Sequence, residues 1–339
     1  MKFPPRCLRA VWWTLPALLV SVAISADAPS KPPLGLPSVP VPSDNPMTAE
    51  KIALGKQLFF DGRLSADYKV SCASCHDPAK GFSNGEPFAT GVGGKKGGRS
   101  APTVINTAYG SLQFWDGRAK SLEDQALGPI QNPIEMTMKL EDVVKRLNGI
   151  EGYKTQFKKV FGSDGATADG IAKAIAAYER TVISGNAPFD RFKAGDQKAL
   201  SEQAQRGQKL FFGKAHCSAC HAGPNFTDNS FHNVGVGMDQ KDFDKGRADI
   251  SQLSGDTGAF KTPTLREIAK SGPYFHDGRA KTLEDVIDHY AKGGIPNEWL
   301  DEEIFNIKIA PGEKADLIKF LVEGLSSPDY PDDKAPKLP

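Results

Sequence analysis

Two short runs constrain this chain more than anything else in it. Cys72-Ala73-Ser74-Cys75-His76 and Cys217-Ser218-Ala219-Cys220-His221 both read Cys-x-x-Cys-His, the attachment pattern of c-type haem. Two thiols about one helical turn apart can reach the two vinyl groups on one porphyrin edge, and the adjoining imidazole then meets the iron. Zinc is a competing use of paired Cys-x-x-Cys motifs, and disulfides are a third. Against both, His directly follows the second cysteine each time, and a long interval separates the runs.

The start of the chain predicts export. Lys2, Arg6 and Arg9 precede an apolar run from Ala10 to Ile24, and Ser25-Ala26 follows. This is the pattern of a secretory signal peptide over 1–26, with an uncleaved anchor as the alternative. Cys7 would leave with it, and all the remaining cysteines would belong to the haem motifs. Losing the three charges takes the formal balance from +1 to slightly negative, which speaks against nucleic acid or an anionic membrane surface as partner. Export implies a periplasmic setting, since c-type haem is attached outside the bacterial cytoplasm.

Residues 27–46 are rich in proline and predict an extended, poorly ordered leader. From Thr48 helical spacing begins with Ile52, Leu54, Leu58 and Phe59, and Asp61-Gly62 ends it. Arg206-Gly207-Gln208-Lys209-Leu210-Phe211-Phe212 echoes Leu54-Gly55-Lys56-Gln57-Leu58-Phe59-Phe60 ahead of the second haem motif. Each half closes on an amphipathic helix: Ile171, Ile175, Tyr178 and Val182 in one, Leu317, Phe320, Leu321 and Leu325 in the other. No alternating run is long enough to predict a sizeable sheet. The expectation is a mainly α protein made of two internally duplicated, cytochrome-c-like helical domains, 47–198 and 199–328, each with one covalent haem, and a flexible tail over 329–339.

A second repeat lies in the loops. Phe114-Trp115-Asp116-Gly117-Arg118 and the residues after it match Phe275-His276-Asp277-Gly278-Arg279, with Trp115 against His276, Gln125 against Val286 and Pro129 against Tyr290. One scaffold with different residues at such places predicts two haems with different tasks.

With Ala101-Pro102-Thr103, Gln113-Phe114-Trp115-Asp116-Gly117-Arg118, Asn132-Pro133-Ile134-Glu135-Met136, Phe260-Lys261-Thr262-Pro263-Thr264-Leu265-Arg266 and Pro273-Tyr274-Phe275-His276-Asp277-Gly278, the chain resembles the bacterial dihaem cytochrome c peroxidases. More narrowly, it resembles their methylamine-utilisation (MauG-type) branch. The resemblance runs from about Met47 to Ser326 and implies two helical domains packed face to face.

The resemblance also implies roles. His76 would hold the first, peroxidatic iron and His221 the second. A loop histidine that blocks the first haem in the family's peroxidases is replaced here by Val92, in Gly91–Arg99, so an open first haem is expected, with the loop lysines as the rival ligands. Methionine at the second haem is replaced by Tyr290, as in the MauG-type enzymes, and His289 is its competitor. Tyrosinate favours the higher oxidation states. Glu135 would be the acid-base group and Gln125 would orient the peroxide, with Pro129 shaping the pocket and Trp115 between the haems. His276 would bond a haem propionate. Ser271 and Pro273 carbonyls with the Ser100 side chain match a calcium site, where serine is the weaker donor.

The expected activity is reduction of hydrogen peroxide with electrons from a small redox protein, a cytochrome c or a cupredoxin. The rivals are a MauG-type enzyme that oxidises a partner protein and a non-catalytic electron carrier. A homodimer stays open.

Overall fold

The computed structural model describes residues 31–339 together with Met1, so the expected signal peptide and Cys7 lie outside the described residues. The protein is mainly helical. Helix Ala49–Phe60 starts where Thr48 turns extended and its hydroxyl accepts the Lys51 amide at 3.2 Å, an N-cap. It crosses helix Ala168–Glu179, capped in the same way by Thr167. The approach is so close that a Cβ on Gly55 would lie 1.9 Å from the Ala174 carbonyl oxygen and 3.0 Å from Tyr178 Cβ. The second half repeats the crossing between helices Glu202–Phe211 and Pro311–Lys319: a Cβ on Gly207 would lie 1.9 Å from the Asp316 oxygen and 2.8 Å from Phe320 Cβ. The echoed glycines therefore serve one purpose, contact between two helix backbones.

The loops repeat as well. Phe114 and Phe275 sit at φ of 67° and 68°, and Gly117 and Gly278 at 68° and 63°. These tight turns feed helices Leu122–Gln131 and Leu283–Ala291, whose N-caps Ser121 and Thr282 accept the amides of Asp124 and Asp285. The one sheet among the described residues pairs Phe231–His232 with Phe260–Lys261, antiparallel.

Each half has its own core. Leu54, Leu58, Phe59, Ile171, Ile175 and Tyr178 are buried in the first, and Phe211, Phe226, Leu317, Phe320 and Leu325 in the second. Each such side chain contributes on the order of 1.5–3 kcal/mol. Phe189, from the short helix Pro188–Lys193, lies 5.2 Å from Phe226 and 5.7 Å from Phe320 between ring centroids. That helix thus packs with the second core, although the sequence boundary after residue 198 placed it with the first. Its other anchor is the Asp190–Arg266 pair, 2.8 and 2.9 Å, both side chains almost fully buried.

The leader and the last residues both make contacts with the body of the protein. The leader is held in place: Leu34 and Pro37 carbonyls accept from Asn186 and Tyr109, and Asn45 donates to Glu123 at 2.6 Å. Its carbonyls find donors on the first half in Asn186 and Tyr109 and on the second in Arg266, which donates to the Gly35 carbonyl at 3.4 Å. The last residues are likewise no free tail. Tyr330 packs on the first core, Tyr178 donates to Asp333 at 2.9 Å, and Arg63 donates to the Pro339 carbonyl at 2.9 Å. No helix of the described residues is long and apolar enough to cross a membrane.

Candidate active site

His76 follows the short helix Cys72–Cys75, and its amide closes that turn on the Cys72 carbonyl at 2.9 Å. Its ring Nδ1 bonds the Phe82 carbonyl at 3.2 Å, which leaves Nε2 for a metal. Burial pushes its pKa down, so the ring is neutral. A cavity opens beside it, lined by Cys75, Trp115, Gln125, Pro129 and Glu135. Gln125 and Pro129 come from helix Leu122–Gln131. Pro129 has no N–H, so the Gln125 carbonyl loses its helical partner beside the cavity. Glu135 comes from the turn after this helix, where Asn132 donates to its Oε1 at 2.6 Å. Burial raises the Glu135 pKa, while Arg118 and the Asn132 bond pull it back in part.

The Gly91–Arg99 loop is tied to that turn, since the Val92 amide donates to the Glu135 carbonyl at 2.8 Å. Gly91 is required there, because a Cβ would sit 2.1 Å from the Ile134 oxygen. Neither loop lysine reaches the cavity: Lys95 donates to the Pro133 carbonyl at 2.8 Å and Lys96 is exposed.

The second cavity is built on the same plan. His221 Nδ1 bonds the Phe226 carbonyl at 3.0 Å, and Cys217, Cys220, His221 and Tyr290 line the space. Burial pushes the Tyr290 phenol well up, so only an adjacent cation would take its proton off. His289 turns away and bonds the Val234 carbonyl at 2.7 Å through Nε2. Adjacent helix residues point about 100° apart, and here Tyr290 is the one that faces the cavity. Val286 stands where the first cavity has Gln125, and His276 where it has Trp115. His276 stacks on Phe260 with centroids 3.6 Å apart.

Trp115 lines both cavities, with Ser100 to Thr103 beside it. Its indole N–H donates to the Ser100 carbonyl at 2.9 Å, and its own carbonyl accepts the Lys261 amide at 2.8 Å. The Ser100 hydroxyl is committed to the Phe275 carbonyl at 3.0 Å. Ser271 and Pro273 line the second cavity. One occupied hydroxyl and two carbonyls are a poor donor set for calcium, which takes six to eight oxygens, carboxylates among them.

Three ionisable residues at the cavities, one buried and two half-buried, are given no role by the sequence. Glu179 lines the first cavity. Arg99 bridges Asp116 and Asp244, both at 2.6 Å. Lys261 lines the second cavity, where burial pushes its pKa down to about 8. Helical register from Tyr178 could have pointed to Glu179, while the other two depend on how distant loops meet.

Cys75 lines one cavity and Cys217 and Cys220 line the other, so the four thiols do not close one tetrahedral zinc site. All four are free of disulfides. Paired thiols, a neutral half-buried imidazole with a free Nε2 and an adjoining cavity, present twice, fit two haem groups.

Known proteins agree. Residues 49–198 match the family described as di-haem cytochrome c peroxidase. The chain is 46% identical to the methylamine utilization protein MauG of Methylorubrum extorquens over 84% of its own length and 80% of that protein. It is 37% identical to the cytochrome c551 peroxidase of Nitrosomonas europaea over 96% and 95%. A crystal structure of a MauG-like protein associated with microbial copper homeostasis superposes with a TM-score of 0.81 at 32% identity, covering 95% of this chain and 97% of that one. With its fold, its paired haem-binding motifs and these relatives, the chain belongs to the di-haem cytochrome c peroxidase family.

Proposed function

We propose that the protein is an exported, periplasmic peroxidase that reduces hydrogen peroxide to water with electrons from a small redox protein, a cytochrome c or a cupredoxin. Haem c would be held through Cys72 and Cys75 with His76 on the iron, and through Cys217 and Cys220 with His221 and Tyr290. When bound, the first haem supplies the iron at which peroxide is cleaved, and the second passes electrons toward it. The remaining work falls to side chains. Gln125 orients the peroxide through its carboxamide. Glu135 takes the proton from the oxygen nearer the iron and returns it to the leaving one, a task suited to a carboxyl whose pKa burial has raised. Asn132 fixes Glu135, and Trp115 offers a π-system between the cavities.

The observation that carries this is the asymmetry of two matching cavities. Gln125 and Glu135 converge on the one with His76, whereas Val286 takes the glutamine's place beside His221. An electron carrier has no use for such a pair.

Tyr290 favours a second reading, a MauG-type enzyme that uses the same chemistry to oxidise residues of a partner protein. Steady-state peroxide consumption with reduced cytochrome c or cupredoxin, run beside mass spectrometry of candidate protein substrates, separates the two. Rapid donor oxidation by peroxide supports the peroxidase. No donor oxidation with new cross-links or hydroxyl groups on a protein supports the second reading, and neither outcome rejects both.

A further inference from the structure

Glu179 ends the helix Ala168–Glu179 and is only 4% exposed, yet its Oε2 has no hydrogen-bond partner among the described residues. It lines the same cavity as His76, Gln125 and Glu135. A buried, unpartnered carboxylate oxygen is costly, and the neutral acid is the form that relieves the cost.

The second half shows what this position needs for packing alone. Tyr178 meets Gly55 at the first helix crossing, and Phe320 meets Gly207 at the second. The next residues are Glu179 and Leu321, each lining its own cavity. Leucine suffices beside His221, so the carboxyl beside His76 answers to something other than packing.

Arg180, next on the chain, is bound bidentately to Glu123 of helix Leu122–Gln131 at 2.7 and 3.1 Å. Cys72, from the haem-binding turn, and Tyr178 lie near Glu179, and Cys75, His76, Glu135, Arg118, Arg99, Asp116 and Asp244 share the cavity wall. Burial and Glu123 push the Glu179 pKa up, Arg180 pulls it down, and the balance stands at about 8. The arginine that could have held this carboxylate is spent on another.

We propose that Glu179 is the resident proton store of the first cavity: its carboxyl gives a proton to the product oxygen of peroxide reduction and regains one from solvent between turnovers. This rests on the peroxidase reading above. Reducing hydrogen peroxide to two waters consumes two electrons and two protons. Glu135 returns to one oxygen the proton it took from the other, so its round trip supplies neither. The electrons come from the donor protein, one proton from Glu179, which is left as carboxylate, and the other from solvent.

The test uses the haem-loaded enzyme, saturating reduced donor and a pH series, on wild type, Glu179→Gln and Glu179→Asp. In wild type, turnover is expected to be level near neutrality and to fall as pH rises through about 8, where the stored proton is lost. Glu179→Gln should slow turnover by roughly tenfold or more, toward the usual scale for a proton-transferring group. It should also abolish the inflection while haem content and the ferric spectrum stay unchanged. An unaltered rate in Glu179→Gln overturns the proposal. So does a slower rate with the inflection intact, since that marks a positional role. If Glu179→Gln takes up no haem, Glu179→Asp decides: an inflection retained supports the store, and one lost overturns it. Wild type that consumes no peroxide sinks the peroxidase reading and this inference together, whereas active wild type with an indifferent Glu179→Gln sinks this inference alone.

Discussion

Pro129 and Tyr290 hold the same place in two matching helices, at the same distance beyond the hydroxyl N-caps Ser121 and Thr282, and each lines its own cavity. The proline side chain has no donor atom to offer iron, so it leaves one side of the first cavity open. Tyrosine puts a phenol into the second. Most of the difference between the two proposed haems comes down to this exchange.

An anionic oxygen ligand holds iron in its oxidised state more firmly than a thioether does. Tyr290→Met should therefore raise the second haem's reduction potential, by on the order of 0.1 V or more given the range that axial ligands command. Tyr290→Phe should remove the tyrosinate signature from the visible spectrum. Redox titration of the two variants checks both. Unchanged potential and spectrum would make Tyr290 a packing residue and remove the main support for MauG-type chemistry.

The resting, fully oxidised enzyme should contain one high-spin haem. Val92 offers the first iron nothing, its amide is held by Glu135, and Lys95 is bound to Pro133 at the surface. EPR at low temperature reads this directly. A spectrum with low-spin signals alone would mean that a loop residue closes the site.

Stability should be concentrated at the seam between the halves. Asp190→Asn or Arg266→Met breaks a buried ion pair and should cost about 3–5 kcal/mol. Replacing both with apolar residues of similar volume should recover much of that loss. Urea unfolding of the haem-loaded protein measures it.

The two helix crossings should be intolerant of even a methyl group. Gly55→Ala and Gly207→Ala each drive a Cβ into a carbonyl oxygen of the facing helix, an overpacking cost of about 1–3 kcal/mol. Thermal melts should show both losses, and Gly55→Ala should also disturb the first haem's spectrum. A variant as stable as wild type would mean that the helices can part there at little cost.

Much of this was legible in the sequence because the chain states it twice. The echo around Gly55 and Gly207 marks two matching helices, and the register of the Phe114 and Phe275 loops sets Pro129 against Tyr290. Local patterns could not show partners far apart in the chain. The leader reads as loose because proline offers no donor, yet its carbonyls and Asn45 are taken up by residues far downstream. The C-terminal residues read as a tail because they are polar, yet Tyr330 and Asp333 are anchored on the first half. The calcium expectation depends on matched positions alone, and sequence does not show that the Ser100 hydroxyl serves the Phe275 carbonyl. Glu179 is not legible as a cavity residue because a glutamate beside an arginine at a helix end ordinarily reads as part of a solvated face.

The central claim is that Glu135 performs the proton transfer of peroxide cleavage in a cavity open to substrate. Stopped-flow mixing of the fully oxidised enzyme with hydrogen peroxide, for wild type and Glu135→Gln across a pH series, tests it most directly. Wild type should react without prior reduction. Its rate should fall as pH drops through a value above the usual carboxylate range, because Glu135 must be ionised to accept the proton and burial has raised its pKa. Glu135→Gln should react about 10²-fold more slowly or worse, without that acid limb and with its haem spectrum intact. A variant as fast as wild type, with the same dependence on pH, would contradict the account.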